Sequence, residues 1–270
     1  AGAILDGQTA DSAVGSGEAV RIMTGAPIPR GADAVVRLED TQGEGSMVAV
    51  SHAPRAGEFI RPAGEDLRRG ERVLEQGRLL RPADLGLIAS MGLPSVEVAT
   101  APRVVVLSSG DEIVPLGEPL GPGQIYNSNA YALAAAVREA GGVPLVLPIA
   151  RDESADLRRA FRSAATADVV ISTGGVSVGD RDHTREIMAD LGLEERFWRV
   201  AQKPGKPIAF ARGPRCLYFG LPGNPVSSLV CFVLYAAPAL RRALGRRDVF
   251  PAATEVRMAE TVPTARDLTE

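Results

Sequence analysis

The sequence predicts an α/β fold, a three-layer, parallel-sheet domain preceded by a β-rich segment. Three observations predict it. Short apolar runs, VVVLSS (104–109), VPLVLPI (143–149) and DVVIST (168–173), alternate with stretches of helical spacing. A glycine-rich string follows the third run at once, as in strand-to-helix loops that carry ligands. Before residue 102, apolar runs are short and broken by Pro and Gly, which reads as β structure with turns.

Taken in order, GEAVRIM, GAPIPRGAD, AVVRLED and MVAVS between residues 17 and 51 read as short strands and turns, within a β-rich segment over 1–55. A mixed linker segment covers 56–101. In it Gly70–Gly77 reads as a turn region and Pro82–Met91 as a short helix opened by proline. The α/β domain covers 102–245. Its first run is a buried parallel strand. Ser128–Ala140 is a helix, with Leu133, Val137 and Ala140 on one face and Gly141-Gly142 as its stop. A second strand, a helix over 153–165 and a third strand follow. IAFAR and CLYFGL precede LPGNPVSSLVCFVLYAAPALRRALG. There Asn224 can cap and Pro225 can open a helix whose apolar stripe is Val226, Leu229, Val230 and Val233. Pro238 lacks an N–H, so that helix is expected to kink or restart. Residues 246–270 are expected to begin a C-terminal β domain. A start at Ala1 without Met and an end in TVPTARDLTE suggest a piece of a longer protein.

Composition narrows the function. Hydrophobic residues are 45% and charged residues 23% of 270, enough for a real core. The formal charge of −3 argues against a general nucleic-acid binder. No apolar run approaches a membrane span and no leader pattern occurs, so a cytoplasmic protein with no membrane partner is expected. The two cysteines, Cys216 and Cys231, stand in apolar strings and read as buried thiols rather than a zinc site.

The rare residues are more informative. Of 30 basic residues only two are Lys, and both lie in one turn, Lys203-Pro204-Gly205-Lys206-Pro207. A compact ammonium on a stiff turn suits phosphate or oxyanion binding where a planar guanidinium would not fit. No P-loop string occurs. Only three Asn occur, Asn127, Asn129 and Asn224.

Other strings carry chemistry at the ends of the expected strands. Ser108-Ser109-Gly110-Asp111-Glu112 offers carboxylates for a metal or polar ligand, or forms a solvated turn. In Gly174-Gly175-Val176-Ser177-Val178-Gly179, glycines let backbone N–H groups approach a phosphate. The same run matches the G-x-S-x-G elbow of serine hydrolases. That fold needs a carboxylate and then a His well downstream, and only His183 follows, so the hydrolase reading fails. Leu221-Pro222-Gly223-Asn224-Pro225 opens a helix whose amino end attracts anions. Asp182 either caps the helix after the glycine run or holds a cation there.

Seven strings in order, RIMTGAPIPRGADAVV, RPAGED, SSGDEI, GQIYNSN, STGGVSVGDRDHT, QKPGKPIAF and GLPGNPVSS, resemble the molybdopterin molybdenumtransferases, the family that includes the E domain of gephyrin. The resemblance covers residues 17–245. It implies a molybdopterin-binding α/β domain and insertion of molybdate into adenylylated molybdopterin, with release of AMP and use of Mg2+. It implies a homodimer whose site lies between the α/β domain of one subunit and the first segment of its mate. Catalytic candidates carried over are Asp66, Asp152, Asp182, Lys203 and Lys206. Substrate-binding candidates are Thr24, Arg61, Gly174, Gly175, Ser177, Pro222, Asn224 and Pro225. Asp182, Glu112 and Asp66 are the metal candidates, since magnesium takes oxygen ligands and substrate phosphates. The preceding adenylyltransferase is an implied partner.

The family also carries an Asp-Gly-Tyr-Ala string near its amino end, where this chain has Leu5-Asp6-Gly7-Gln8 in another context. Two alternatives stay open. An adenylyltransferase acting on the same pterin would share the α/β domain but lack the segment with TGAP and GED. A non-catalytic, gephyrin-like scaffold would keep the fold without turnover.

Overall fold

The computed structural model describes residues 3–4, 13–44, 46–164, 166–174, 181–257 and 259, with backbone alone at 3–4 and 181–183. The chain divides into two compact units, Ala1–Val73 and Leu74–Glu270.

In the first unit, β1 (Ala3–Ile4) pairs in parallel with β2 (Arg21–Ile22). The strand expected at AVVRLED does not form. Leu38–Asp40 is instead a 3-10 turn, closed by Asp40 N–H donating to Arg37 O at 3.0 Å. Arg37 Nε also donates to the Asp40 carboxylate at 3.0 Å, a local bond that competes with strand pairing. β3 (Thr41–Glu44) and β4 (Met47–Val50) form an antiparallel hairpin, so MVAVS is a strand as expected.

The second unit opens with α1 (Pro82–Ser90), where proline stands in the first turn. The Asp84 carboxylate accepts from Arg81 N–H at 2.9 Å and from the Arg78 guanidinium at 3.1 and 2.9 Å. The Arg78 bonds, chiefly, hold the Asp84 carboxyl below its ordinary range.

The chain then runs through β5 (Arg103–Ser108), β6 (Ile113–Val114), β7 (Ile125–Tyr126), α2 (Ser128–Glu139), β8 (Val143–Val146), α3 (Ser154–Ala164) and β9 (Val169–Thr173). It continues through α4 (Arg181–Asp190), β10 (Glu194–Phe197), β11 (Ala209–Arg212), β12 (Leu217–Leu221) and α5 (Pro225–Cys231). A π-helical turn, Phe232–Ala236, leads into α6 (Ala237–Ala243).

Six strands form one sheet in the order β10-β11-β12-β9-β5-β8. The four from β12 to β8 are parallel, as the alternation predicts, and β10 and β11 add an antiparallel edge. Only a four-residue connection separates β11 from β12, which suits a hairpin and is too short for a crossover. Alternate side chains serve opposite faces. Val104, Val106, Ile171 and Leu221 pack with Leu133 and Val137 of α2 and with Phe232 and Leu240. Val105, Leu107, Val170 and Tyr218 pack with Leu157 and Phe161 of α3 and with Ile187 and Met188 of α4. These are the three layers.

The stretch Pro225–Ala243 is apolar on more than one side. The face that enters the core carries Ser228, Cys231, Phe232, Ala236 and Leu240. The expected stripe lies elsewhere: Val226 is 64%, Leu229 38% and Val233 45% exposed. Ahead of Pro238, the Ala237 N–H reaches back to Phe232 O, so the helix restarts through a π-turn where proline cannot donate. Among the described residues, this stretch alone is apolar enough by length and mean hydropathy (1.3) to cross a membrane, but its inner face belongs to the core. Residues 246–257 carry no regular structure.

Candidate functional site

Parallel strands present their carboxyl ends at one rim. The chain leaves β5 toward β8 on one side and later returns to β9 on the other, so β5 and β9 flank a switch point where ligands bind in such sheets. Ser108 pairs with Thr173 at that rim, and Ser109 N–H donates to Thr173 O at 3.2 Å.

Five loops converge there. After β5 comes Ser109–Glu112. After β8 comes Ala150–Asp152, joined to the first by the Ser109–Ala150 bridge and by Gly110 N–H donating to Ala150 O at 3.2 Å. Asp111 N–H donates to the Asp152 carboxylate at 3.4 Å and Asp152 N–H to that of Asp111 at 3.5 Å, so two exposed carboxylates stand side by side. After β9 comes Gly174 at φ +88°, where a Cβ would fall 2.5 Å from Ser109 O. Only glycine fits that crossing.

The fourth loop is Pro222–Asn224, after β12. Asn224 caps α5: its side chain accepts from Ser227 N–H at 3.2 Å, and Pro225 stands in the first turn. The fifth is the lysine turn. Because β11 runs antiparallel to β12, with Ala209 opposite Gly220, its entry lies beside the carboxyl end of β12. Lys203–Lys206 is thereby carried to the same rim. Lys203 and Lys206 are exposed and Gly205 between them is buried. Gln202 Nε2 donates to Pro204 O at 2.7 Å, Tyr235 Oη donates to Gln202 Oε1 at 2.8 Å and Cys231 Sγ donates to Gly205 O at 3.5 Å. Burial pushes the Cys231 thiol up to about 11, so it stays protonated at neutral pH.

The structure therefore brings together Glu112, Asp152, Gly174, Lys203, Lys206, Pro222, Asn224 and Pro225 of the expected set. Gly175 and Ser177 lie outside the described residues, as does the side chain of Asp182, whose backbone stands in the first turn of α4. Thr24, Arg61 and Asp66 belong to the first unit. There Thr24 is exposed in a turn, and Arg61 Nη1 donates to the Asp66 carboxylate at 3.0 Å. Among the described residues no three His, Cys, Asp or Glu side chains form a group able to hold a metal.

Sequence reasoning missed Asn127, Asn129, Ser108 and Thr173 as site residues. Ser108 Oγ donates to Asn127 Oδ1 at 3.0 Å, and Asn129 Nδ2 donates to Thr173 Oγ1 at 2.8 Å and to Gly223 O at 2.7 Å. A signal was present: all three asparagines of the chain stand at this rim.

Both parts of the chain are similar to known proteins. Residues 105–242 match the family model described as "Probable molybdopterin binding domain", and residues 2–92 match "MoeA N-terminal region (domain I and II)". A molybdopterin molybdenumtransferase of Haemophilus influenzae is 41% identical over 235 residues, covering 86% of this chain and 58% of that protein. Molybdopterin molybdenumtransferase 2 of Mycobacterium tuberculosis is 42% identical over 238 residues, covering 85% of this chain and 58% of its own length. The crystal structure of the molybdopterin biosynthesis moea protein from Pyrococcus horikosii superposes with a TM-score of 0.76 at 35% identity, over 90% of this chain and 61% of that one. The chain thus spans somewhat over half the length of the curated relatives it matches. With both family models in register with the two halves of the chain, and relatives above 40% identity along most of it, the chain belongs to the molybdopterin molybdenumtransferase family.

Proposed function

We propose that the whole protein inserts molybdate into adenylylated molybdopterin and releases AMP, acting in the cytoplasm on a nucleotide supplied by the preceding adenylyltransferase. The observation that carries this reading is the convergence of the lysine turn, the Gly174 crossing and the capped end of α5 on one rim. Two ammonium groups, backbone N–H groups and a helix amino end suit a polyanionic ligand. Lys203 and Lys206 hold molybdate or phosphate oxygens. Gly174 lets the backbone approach the phosphates, and Pro222, Asn224 and Pro225 shape the far wall.

Glu112 and Asp182 would hold magnesium at this rim, with Asp66 from the first segment of a second subunit. The ion would neutralise charge on the phosphate being cleaved. Asp152 stands beside Asp111 and keeps the acidic side of the rim fixed. Thr24 and Arg61 contact the pterin nucleotide from the mate. The exposed row of Val226, Leu229 and Val233 supports a homodimer, since a second copy would remove it from water.

The test is AMP release from adenylylated molybdopterin by the full-length protein, with molybdate and magnesium present. AMP formed only when molybdate is added is the expected result. Tight nucleotide binding with no AMP release would favour the scaffold reading. Formation rather than consumption of the adenylylated pterin would favour the adenylyltransferase.

A further inference from the structure

Asn129 and Thr173 close a ring of hydrogen bonds around the rim. Asn129 Nδ2 donates to Thr173 Oγ1 at 2.8 Å and to Gly223 O at 2.7 Å. The Gly223 carbonyl can only accept, so the nitrogen end of the amide must face it. Thr173 Oγ1 in turn donates to Pro222 O at 3.3 Å. One buried hydroxyl thus accepts from Asn129 and donates to the residue preceding Gly223. The ring joins the end of β9, the first turn of α2 and the turn that opens α5. A second tie lies beside it: Asn127 Oδ1 accepts from Ser108 Oγ at 3.0 Å and from Ala130 N–H at 3.3 Å, fixing the start of α2 to the end of β5.

The ring lies where two chain segments leave the sheet. β12 ends at Leu221, paired with Thr173, and the next residues leave the sheet ladder. Thr173 is also the last strand residue before Gly174. Whatever fixes the distance between the Pro222–Asn224 turn and the end of β9 acts on both ends of the rim at once.

We propose that Asn129 and Thr173 are positioning residues, a clamp that sets the Pro222–Asn224 turn against the Thr173–Gly174 end of β9. This rests on the function proposed above for the chemistry at that rim. Neither side chain needs to touch the substrate. Their effect is geometric, and a misplacement of about 1 Å in such a site costs on the order of a hundredfold in rate.

The test uses the full-length protein and four variants: Thr173→Val, Thr173→Ser, Asn129→Ala and the Val/Ala double variant. Val is nearly isosteric with Thr but loses both bonds, whereas Ser keeps both. The first readout is hydrogen–deuterium exchange of residues 222–228 in the free protein, which needs no substrate. Exchange should speed up in Thr173→Val and Asn129→Ala, stay at the wild-type rate in Thr173→Ser, and be fastest in the double variant, which alone removes all three bonds. Unchanged exchange in both single variants overturns the clamp. If Thr173→Val does not fold, the half-exposed Asn129→Ala decides alone.

The second readout is AMP release. kcat should fall by about tenfold to a hundredfold with KM little changed, and Ser should restore it. Faster exchange with wild-type kcat overturns the positioning role. A wild-type protein that releases no AMP overturns the proposed function instead, and the exchange data still decide the clamp.

Discussion

A Cβ built on Gly205 would lie 2.5 Å from Cys231 Sγ and 2.8 Å from Gln202 Nε2. The lysine turn therefore rests on the inner face of α5 through a residue with no side chain, at φ +105°. Gly205→Ala meets both obstacles, a backbone conformation that costs roughly 1–3 kcal/mol for other residues and a steric clash. The expected outcome is a lower melting temperature and loss of nucleotide binding. Adding Cys231→Ala should recover part of the stability, because it relieves the clash but not the backbone strain. Calorimetry of the two variants measures the split, and wild-type stability of Gly205→Ala would contradict the packing described.

Lys203→Arg and Lys206→Arg keep the charge and change its shape. If the two ammonium groups act as compact point charges on an anion, each Arg variant should bind AMP or adenylylated molybdopterin several-fold more weakly, at unchanged melting temperature. Isothermal titration measures this. Equal affinity in both variants would remove the anion role from the turn.

Asp182→Asn separates two roles. α4 begins at Arg181, so Asp182 stands inside the helix and not at its N-cap; there Asn gives up only a favourable charge near the helix amino end, worth about 0.3–1 kcal/mol. A metal role predicts near-normal folding with a large loss of molybdenum insertion and a weaker response to magnesium. Melting temperature together with magnesium-titrated activity decides it, and full activity at low magnesium would mean the metal assignment is wrong.

The buried thiols predict alkaline sensitivity. Burial pushes Cys216 and Cys231 from an ordinary 9.0 up to about 11. Because the folded value lies above the unfolded one, their contribution is complete below about pH 9 and is lost as pH rises through about 11. Tyr218, pushed by burial from 10.0 up to about 12, extends the loss to higher pH. The melting temperature should decline between pH 9 and 11 more steeply in the wild type than in a Cys216→Ala/Cys231→Ala variant. Parallel curves would count against thiol burial as the cause.

The apolar row on α5 and the π-turn after it predicts association. Light scattering of the full-length protein at micromolar concentration should give twice the chain mass. Val226→Asp with Val233→Asp should shift it toward monomer while leaving the fold intact, since neither side chain is in the core. An unchanged dimer would place the contact elsewhere.

Much of the second unit was legible because its signals are local. Asn127 before Ser128, Asn224 before Pro225, and glycine after Ala140 mark helix ends by capping chemistry that needs no tertiary context. The run Val104–Ser108 is buried on both faces and so reads as nearly continuous apolar sequence. The short strands β6, β7 and β10 were not legible. At two to four residues, with charged Glu194–Arg196 in β10, they have too little pattern to stand above coil.

The sequence by itself determined the succession of strands and helices, the family and most of the residues that meet at the rim, because periodicity, caps and motif strings are written in neighbouring positions. Only the tertiary structure decided which loops share that rim and which helix face is covered. The antiparallel entry of β11 brings Lys203 and Lys206 beside the end of β12, and strand direction depends on a partner distant in sequence. Likewise, Pro225–Ala243 offers two apolar faces of similar spacing. The sheet selected the one whose Ser228, Cys231 and Ala236 are small enough for close approach, leaving Val226, Leu229 and Val233 in water.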